Sequence, residues 1–135
     1  MPDVGPISQD EVLHAAEFRR LLRRFLAHGD AGVRRAGLTP QRYLLLLMIK
    51  GAPDGSERAT VTDLADRLGL AQSSVTELVN RAEEIGIIQR VPSDNDGRVV
   101  HLCLTAEGER RLAAAFTRLD VERARLRDAF GQLDG

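Results

Sequence analysis

Cysteine is nearly missing from this sequence. Cys103 stands alone, which excludes an internal disulfide and any cysteine-based metal cluster. A small buried hydrophobe is its ordinary reading, ahead of a redox sensor. Tryptophan is absent and aromatic residues make up only 4% of the chain. That suits helices built on Leu, Ala, Arg and Glu better than a β-sandwich, which leans on Val, Ile, Tyr and Trp. Long hydrophobic runs are also missing. The longest, Tyr43 to Ile49, falls far short of the roughly 20 apolar residues a membrane span needs. Met1 to Asp10 shows neither the basic n-region nor the apolar core of a secretion signal, so a cytoplasmic location without membrane contact is expected. Finally, neither sign of charge dominates: 19 Lys and Arg against 20 Asp and Glu give a formal net charge of -1. Indiscriminate nucleic-acid binding needs a strongly basic surface, so any DNA contact here must be local.

Chemistry-bearing clusters are equally scarce. His14, His28 and His101 lie far apart, no glycine-rich phosphate loop precedes a helix, and no His/Glu pair has metal-ligand spacing. No catalytic residue, metal or cofactor is therefore expected, and an enzyme is the least favoured class.

What is present is a chain of 135 residues with 43% hydrophobic and 29% charged residues. This is enough for one domain that buries roughly two-thirds of its unfolded surface. Ser8 and Glu11 have the form of a capping box, and Val12, Ala15, Phe18, Leu22, Phe25 and Leu26 follow at helical spacing. The pattern predicts a first helix from about Gln9 to His28, ended by Gly29. Its other face carries Arg19, Arg20, Arg23 and Arg24, which reads as a solvated or partner-contacting face rather than a DNA contact. Thr39 and Pro40 form an N-cap and first-turn pair. The helix they start is apolar on every side from Tyr43 to Ile49, so it should be central, with Lys50 and Gly51 as its stop. The segment 52–59, rich in Pro, Gly and charge, reads as a loop.

Two short helices come next. Thr60 to Leu68 reads as a capped amphipathic helix closed by Gly69, with Thr60 or Thr62 as the cap. After the turn Gly69-Leu70-Ala71, a second helix from about Gln72 to Ile85 carries Val75, Leu78, Val79, Ala82 and Ile85 on one stripe. Ala65 is small where two helices must cross, Gly69 suits a left-handed turn, and Val75 fills the wedge between them. Leu64, Leu68, Leu70 and Leu78 are expected to complete that core. Small, glycine and β-branched residues at these offsets make a fairly specific helix-turn-helix signature.

Ile87 to Val91 then reads as a strand, Pro92 to Gly97 as a turn, and Arg98 to Leu104 as a returning strand with Val100, Leu102 and Leu104 inward. Such a hairpin is a wing. Thr105 caps a last long helix in which Leu112, Phe116, Leu119, Arg123, Leu126, Phe130 and Leu133 step by four and three, the spacing of a helix seam. Arg123 interrupts the stripe and marks an expected bend or break. A partner subunit or an intramolecular helix could cover the seam.

In this order of elements the chain resembles the MarR family of bacterial transcriptional regulators over nearly its whole length. The matching stretches are Gly37-Leu38-Thr39-Pro40-Gln41, then Val61-Thr62-Asp63-Leu64-Ala65-Asp66-Arg67-Leu68-Gly69-Leu70, then Val75-Thr76-Glu77-Leu78-Val79-Asn80-Arg81. Most specific are Asp94-Asn95-Asp96-Gly97-Arg98 and Leu102-Cys103-Leu104-Thr105-Ala106-Glu107-Gly108. They have the form of the family's Asp-x-Arg wing tip and its Leu-Thr-x-x-Gly entry to the next helix. The resemblance implies a mainly α fold with a small β-wing, a winged helix-turn-helix with N- and C-terminal dimerisation helices. Residues 8–36 and 105–135 would join a homodimer and 38–104 would bind DNA, within a single domain 1–135. It further implies a pseudo-palindromic operator, repression, and release by a small aromatic or phenolic effector. Glu77 departs from the basic or polar residue often found there. The last helix stops early at Gly135, so dimerisation is expected to lean on the first helix.

A reading helix offers its N-terminal, non-core side chains to base edges. Here these are Gln72, Ser73, Ser74, Thr76 and Glu77. Gln suits an adenine edge, Ser and Thr suit bases or phosphates, and Glu suits a cytosine amino group. Ser73 and Ser74 also have the alternative of simply starting the helix, and Arg81 that of reaching a phosphate or pairing with Glu77 or Glu84. Arg98 is placed in a minor groove, oriented by Asp96, the alternative being a solvated turn in which Asp94, Asn95, Asp96 and Gly97 supply only turn chemistry. Against this, Glu57, Asp63, Asp66, Glu77, Glu83, Glu84, Asp94 and Asp96 outnumber Arg58, Arg67, Arg81, Arg90 and Arg98. Modest nonspecific affinity follows, and a winged-helix protein-interaction module without DNA binding is the competing function. For the effector, the place expected is the start of the second helix, with Arg42 pairing a carboxylate or phenolate beside Tyr43, and Phe18 and Leu22 as apolar wall, the alternative being a wholly packed structural hinge. The operator sequence, the regulated genes and the effector's identity have no signature in the sequence.

Overall fold

The computed structural model describes residues 5–93 and 97–134. Its elements are α1 (Gln9–Arg35), α2 (Pro40–Lys50), α3 (Val61–Leu68), α4 (Gln72–Glu84), β1 (Ile88–Pro92), β2 (Val100–Leu104) and α5 (Ala106–Asp134). The expected class, mainly α with a small wing, is the observed one.

The central element is α2. Thr39 accepts the Arg42 amide at 3.2 Å and Pro40 occupies the first turn. Leu45, Leu46 and Ile49 are fully buried. They join one apolar cluster that runs from Val33 through Leu64, Val75 and Leu102 to Leu119. Around this hub α3 begins with a reciprocal box in which the Thr60 hydroxyl accepts the Asp63 amide and the Asp63 carboxylate accepts the Thr60 amide. Gly69 closes α3 in the left-handed region, φ +67°.

Helix α1 departs from expectation by continuing through Gly29 to Arg35. The reason lies in α5, which runs antiparallel along it: Phe18 stacks on Phe130 with ring centroids 4.4 Å apart, and further along Arg111 donates to the Gly37 carbonyl at 3.0 Å. Between these points a Cβ at Gly29 would lie 3.3 Å from Leu119 Cδ2, and one at Gly32 3.4 Å from Arg118 Cβ. The two glycines therefore serve close helix approach, and the chain reverses only at Gly37. Ser8 does cap α1, accepting the Asp10 amide at 3.2 Å.

Helix α5 does not break at Arg123. The guanidinium folds back over the Phe116 ring, 3.6 Å from its centroid, and donates to the Phe116 carbonyl at 2.7 Å. This satisfies the charge without leaving the helix. Leu112 and Leu119 of the predicted seam are buried within the chain, so an intramolecular partner covers part of it. Ile7, Val12, Leu13, Phe18, Leu26 and Phe116 remain exposed.

In the wing β1 and β2 pair antiparallel from Ile88 opposite Leu104 to Pro92 opposite Val100. Ala59, read as loop, exchanges both backbone hydrogen bonds with Leu102 and adds a one-residue third rung. Val100 was expected inward but is exposed at the distal end of the ladder, and Arg98 lies in the turn before β2. The tip residues Asp94, Asn95 and Asp96 lie outside the described residues. Two other expected core positions are also exposed: Leu70, just past the Gly69 reversal, and Ile85, which follows the last turn of α4. Among the described residues no helix is long and apolar enough to cross a membrane, and no group of three or more His, Cys, Asp or Glu could hold a metal ion.

Candidate nucleic-acid interface

Helix α4 is two-faced. Val75, Val79 and Ala82 are fully buried, while Gln72, Ser73, Ser74, Thr76, Glu77 and Arg81 are all exposed. The burial stripe anchors the helix, so the polar side chains project from a rigid support. The N-cap is Ala71, with no side-chain cap. Ser73 and Ser74 lie exposed in the first turn of the helix and neither caps it. Gln72 makes only a long 3.4 Å contact to the Thr62 hydroxyl. Arg81 pairs with Glu77 rather than Glu84, at 3.3 Å with both side chains well exposed. Such a pair is worth little in water and is readily exchanged.

Arg98 is exposed on the wing turn. Its expected partner Asp96 lies outside the described residues. Sequence reasoning missed the joint that fixes this wing to α4: Arg90 of β1 donates to Glu83 at 3.0 Å and to the Asn80 side-chain carbonyl at 2.9 Å. Asn80 and Glu83, three apart on a helix beside a strand bearing a lone Arg, were the available signal. Another basic residue is engaged inside the fold, because Arg67 donates to the Met48 carbonyl at 3.2 Å.

Among the described residues, cavities lie on two sides of α2. The first, about 430 Å³, lies between α2 and α4 and is lined by Thr39, Gln41, Arg42, Leu70, Ser74, Glu77, Leu78 and Arg81. The second, about 310 Å³, is walled by α1, α2 and α5, with Phe25, Leu26, Tyr43, Leu47, Phe116 and Arg123 among its lining. Burial raises the Tyr43 hydroxyl above its usual value, and the nearby Arg123 charge partly opposes this. The expected grouping of Arg42 with Tyr43, Phe18 and Leu22 is not what the geometry brings together. Consecutive helix residues point about 100° apart, so Tyr43 faces the second cavity and Arg42 the first. Phe18 and Leu22 sit nearer the N-terminus of α1 than Phe25 and Leu26, outside the lining, and the cation at that cavity is Arg123.

Residues 36–99, which hold α2, the helix-turn-helix and the first wing strand, match the family model described as MarR family. An uncharacterized HTH-type transcriptional regulator, YsmB of Bacillus subtilis, is 28% identical over 121 residues, covering 87% of this chain and 78% of its own length. The HTH-type transcriptional repressor MdtR of the same organism is 33% identical over 75 residues, 56% of this chain and 46% of that protein. Among solved structures, a mutant of MarR from E. coli complexed with operator DNA superposes with TM-score 0.66 at 16% identity, covering 90% of this chain and 85% of that one. NadR in complex with 4-hydroxyphenylacetate superposes with TM-score 0.69 at 22% identity, over 98% and 88%.

Proposed function

We propose that the chain, whose residues 36–99 match the MarR family model, is a DNA-binding transcriptional regulator of that family that acts as a homodimeric, effector-responsive repressor on a pseudo-palindromic operator. The observation that carries the reading is α4, whose exposed polar face stands on a fully buried apolar one. In this reading Gln72, Ser73, Ser74, Thr76 and Glu77 meet base edges in the major groove, with Arg81 behind them. Arg98, oriented by Asp96, enters the adjacent minor groove. Residues 38–104 form the reading head, and 8–36 with 105–135 join two copies. The apolar side chains left exposed on α1 and α5 support that pairing, since two copies related by a two-fold axis would cover each other's. Repression has the support of MdtR, a repressor. The competing reading, an interaction module without DNA binding, is not favoured by relatives that are transcriptional regulators.

For the effector, the 310 Å³ cavity between the terminal helices and α2 has the size and apolar lining of a small-molecule site. A small aromatic or phenolic compound fits it, with Tyr43, Arg123 and the Asp30 carboxylate as its polar groups. The 4-hydroxyphenylacetate held by NadR supports this class. Selection of duplexes from a random pool by the purified protein tests the main reading. A pseudo-palindrome bound by a species that sediments as a dimer is expected. Selection of no sequence, or a monomer at micromolar concentration, would overturn it.

A further inference from the structure

Among the described residues the Arg42 guanidinium makes no hydrogen bond or ion pair, although the residue is half-buried. Other arginines are engaged: Arg67 serves a carbonyl, Arg90 ties the wing to α4, and Arg81 pairs with Glu77. Arg42 projects into the 430 Å³ cavity that also holds Arg81 and Glu77, together with the Ser74 hydroxyl and the Gln41 amide as further donors. Two positive charges and one negative leave this cavity with one net positive charge. An oxyanion carrying one negative charge would balance it.

The position of the cavity says which anion. Around α4, Ser74 and Leu78 line the cavity while Asn80 and Glu83 hold the wing, and at about 100° per residue these pairs lie on opposite flanks of the helix. A helix with its side chains, about 10 to 12 Å across, fills a major groove of about 12 Å, so a sugar-phosphate strand runs along each flank. The wing meets one strand. On the other flank Ser74 and Glu77 belong both to the reading face and to the cavity wall, which brings the second strand to the cavity mouth.

We propose that the cavity between α2 and α4 seats a phosphodiester of duplex DNA, with Arg42 as its principal cation. This rests on the DNA-binding reading and extends it to a residue on α2. The fork of the guanidinium suits two phosphate oxygens. Such a contact sets the register of α4 on the duplex and carries no base preference of its own. The Glu77 carboxylate at the cavity wall cancels one of the two arginine charges and so limits the site to one anion.

The test measures binding of a selected duplex and of its scrambled version to the full chain between about 50 and 200 mM salt, for the wild type, Arg42→Gln and Arg42→Lys, with thermal melts confirming that all three fold. Each neutralised phosphate contributes about 0.9 to the slope of log affinity against log salt. Arg42→Gln is expected to flatten the slope by about 0.9 per copy of the chain bound. It should weaken both duplexes by about tenfold, while Arg42→Lys retains the wild-type slope. An unchanged slope in a folded Arg42→Gln protein would overturn the assignment. So would a loss confined to the selected duplex, which would make Arg42 a base reader. A wild type that binds neither duplex would instead overturn the DNA-binding reading, and this proposal with it.

Discussion

An added Cβ at Gly108 would lie 2.0 Å from the Ile87 carbonyl oxygen. The first turn of α5 therefore rests directly on the backbone where α4 hands over to β1, and Thr105 ties the same place by donating to the Gly86 carbonyl and accepting the Gly108 amide. Gly108→Ala is expected to destabilise the fold by about 3 kcal/mol, because backbone and not a flexible side chain must yield. Gly29→Ala meets only the end of Leu119 at 3.3 Å, and the gain in helix propensity offsets the squeeze to within about 1 kcal/mol. Urea midpoints of the two variants compare them directly. One turn of the same helix also sets a pH response. Hydrogen bonds from Arg110 and then Arg111 hold the Glu107 carboxyl at about 2, down from 4.5. A folded-state value below the unfolded one stabilises above pH 4.5 and is lost as pH falls toward 2. Wild type should thus exceed Glu107→Gln in stability at neutral pH, and the gap should narrow across that window. A gap that stays constant down to pH 3 would contradict the pairing. At this scale, the sequence grouped Arg42 with Tyr43 at one site, although the turn of about 100° between consecutive helix residues sends them to different cavities. The Phe116 ring seven residues before Arg123 was an available signal for its folding back, whereas the hydrogen bond to the Phe116 carbonyl has no side-chain signature.

Among the elements, those legible in the sequence are the ones whose ends are written locally. Thr39-Pro40, the Thr60 cap and Gly69 each state a boundary within a few residues of it. Helix α1 was misjudged because Gly29 has two meanings. It can end a helix, or it can admit another one, and the deciding neighbour Leu119 is 90 residues away in the chain. Ala59 was invisible for a related reason: one backbone rung opposite Leu102 needs no particular side chain. The joint between α4 and β1 depends on Arg90, so Arg90→Ala should leave the melting temperature within a few degrees of wild type, as expected for an exposed ion pair. It should still weaken DNA binding, because the wing is no longer held at a set angle to α4. Equal DNA affinity in the variant would show that the strands alone orient the wing.

For the whole molecule, the order helix, hub, reading head, wing and long helix could be read in advance, as could the exposed face of α4. What could not be read is which apolar side chains stay uncovered. The stripe on α5 is spaced like a dimer seam, yet Leu112 and Leu119 are consumed by contacts inside the chain, and only three-dimensional packing divides internal from external use. The Arg90 joint has a last consequence, which concerns the grammar of the operator. In the proposed reading the Arg90 joint links the major-groove contacts of α4 to the minor-groove contact of Arg98 within one copy, so their separation along the duplex is set. One inserted base pair shifts the target by about 3.4 Å and turns it by roughly a tenth of a helical turn. Placed between the positions met by α4 and those met by Arg98, that insertion should damage binding as badly as scrambling the half-site. Gel-shift titrations with such spaced duplexes measure it. If the inserted site binds as well as the original, α4 and the wing reach the duplex independently of each other.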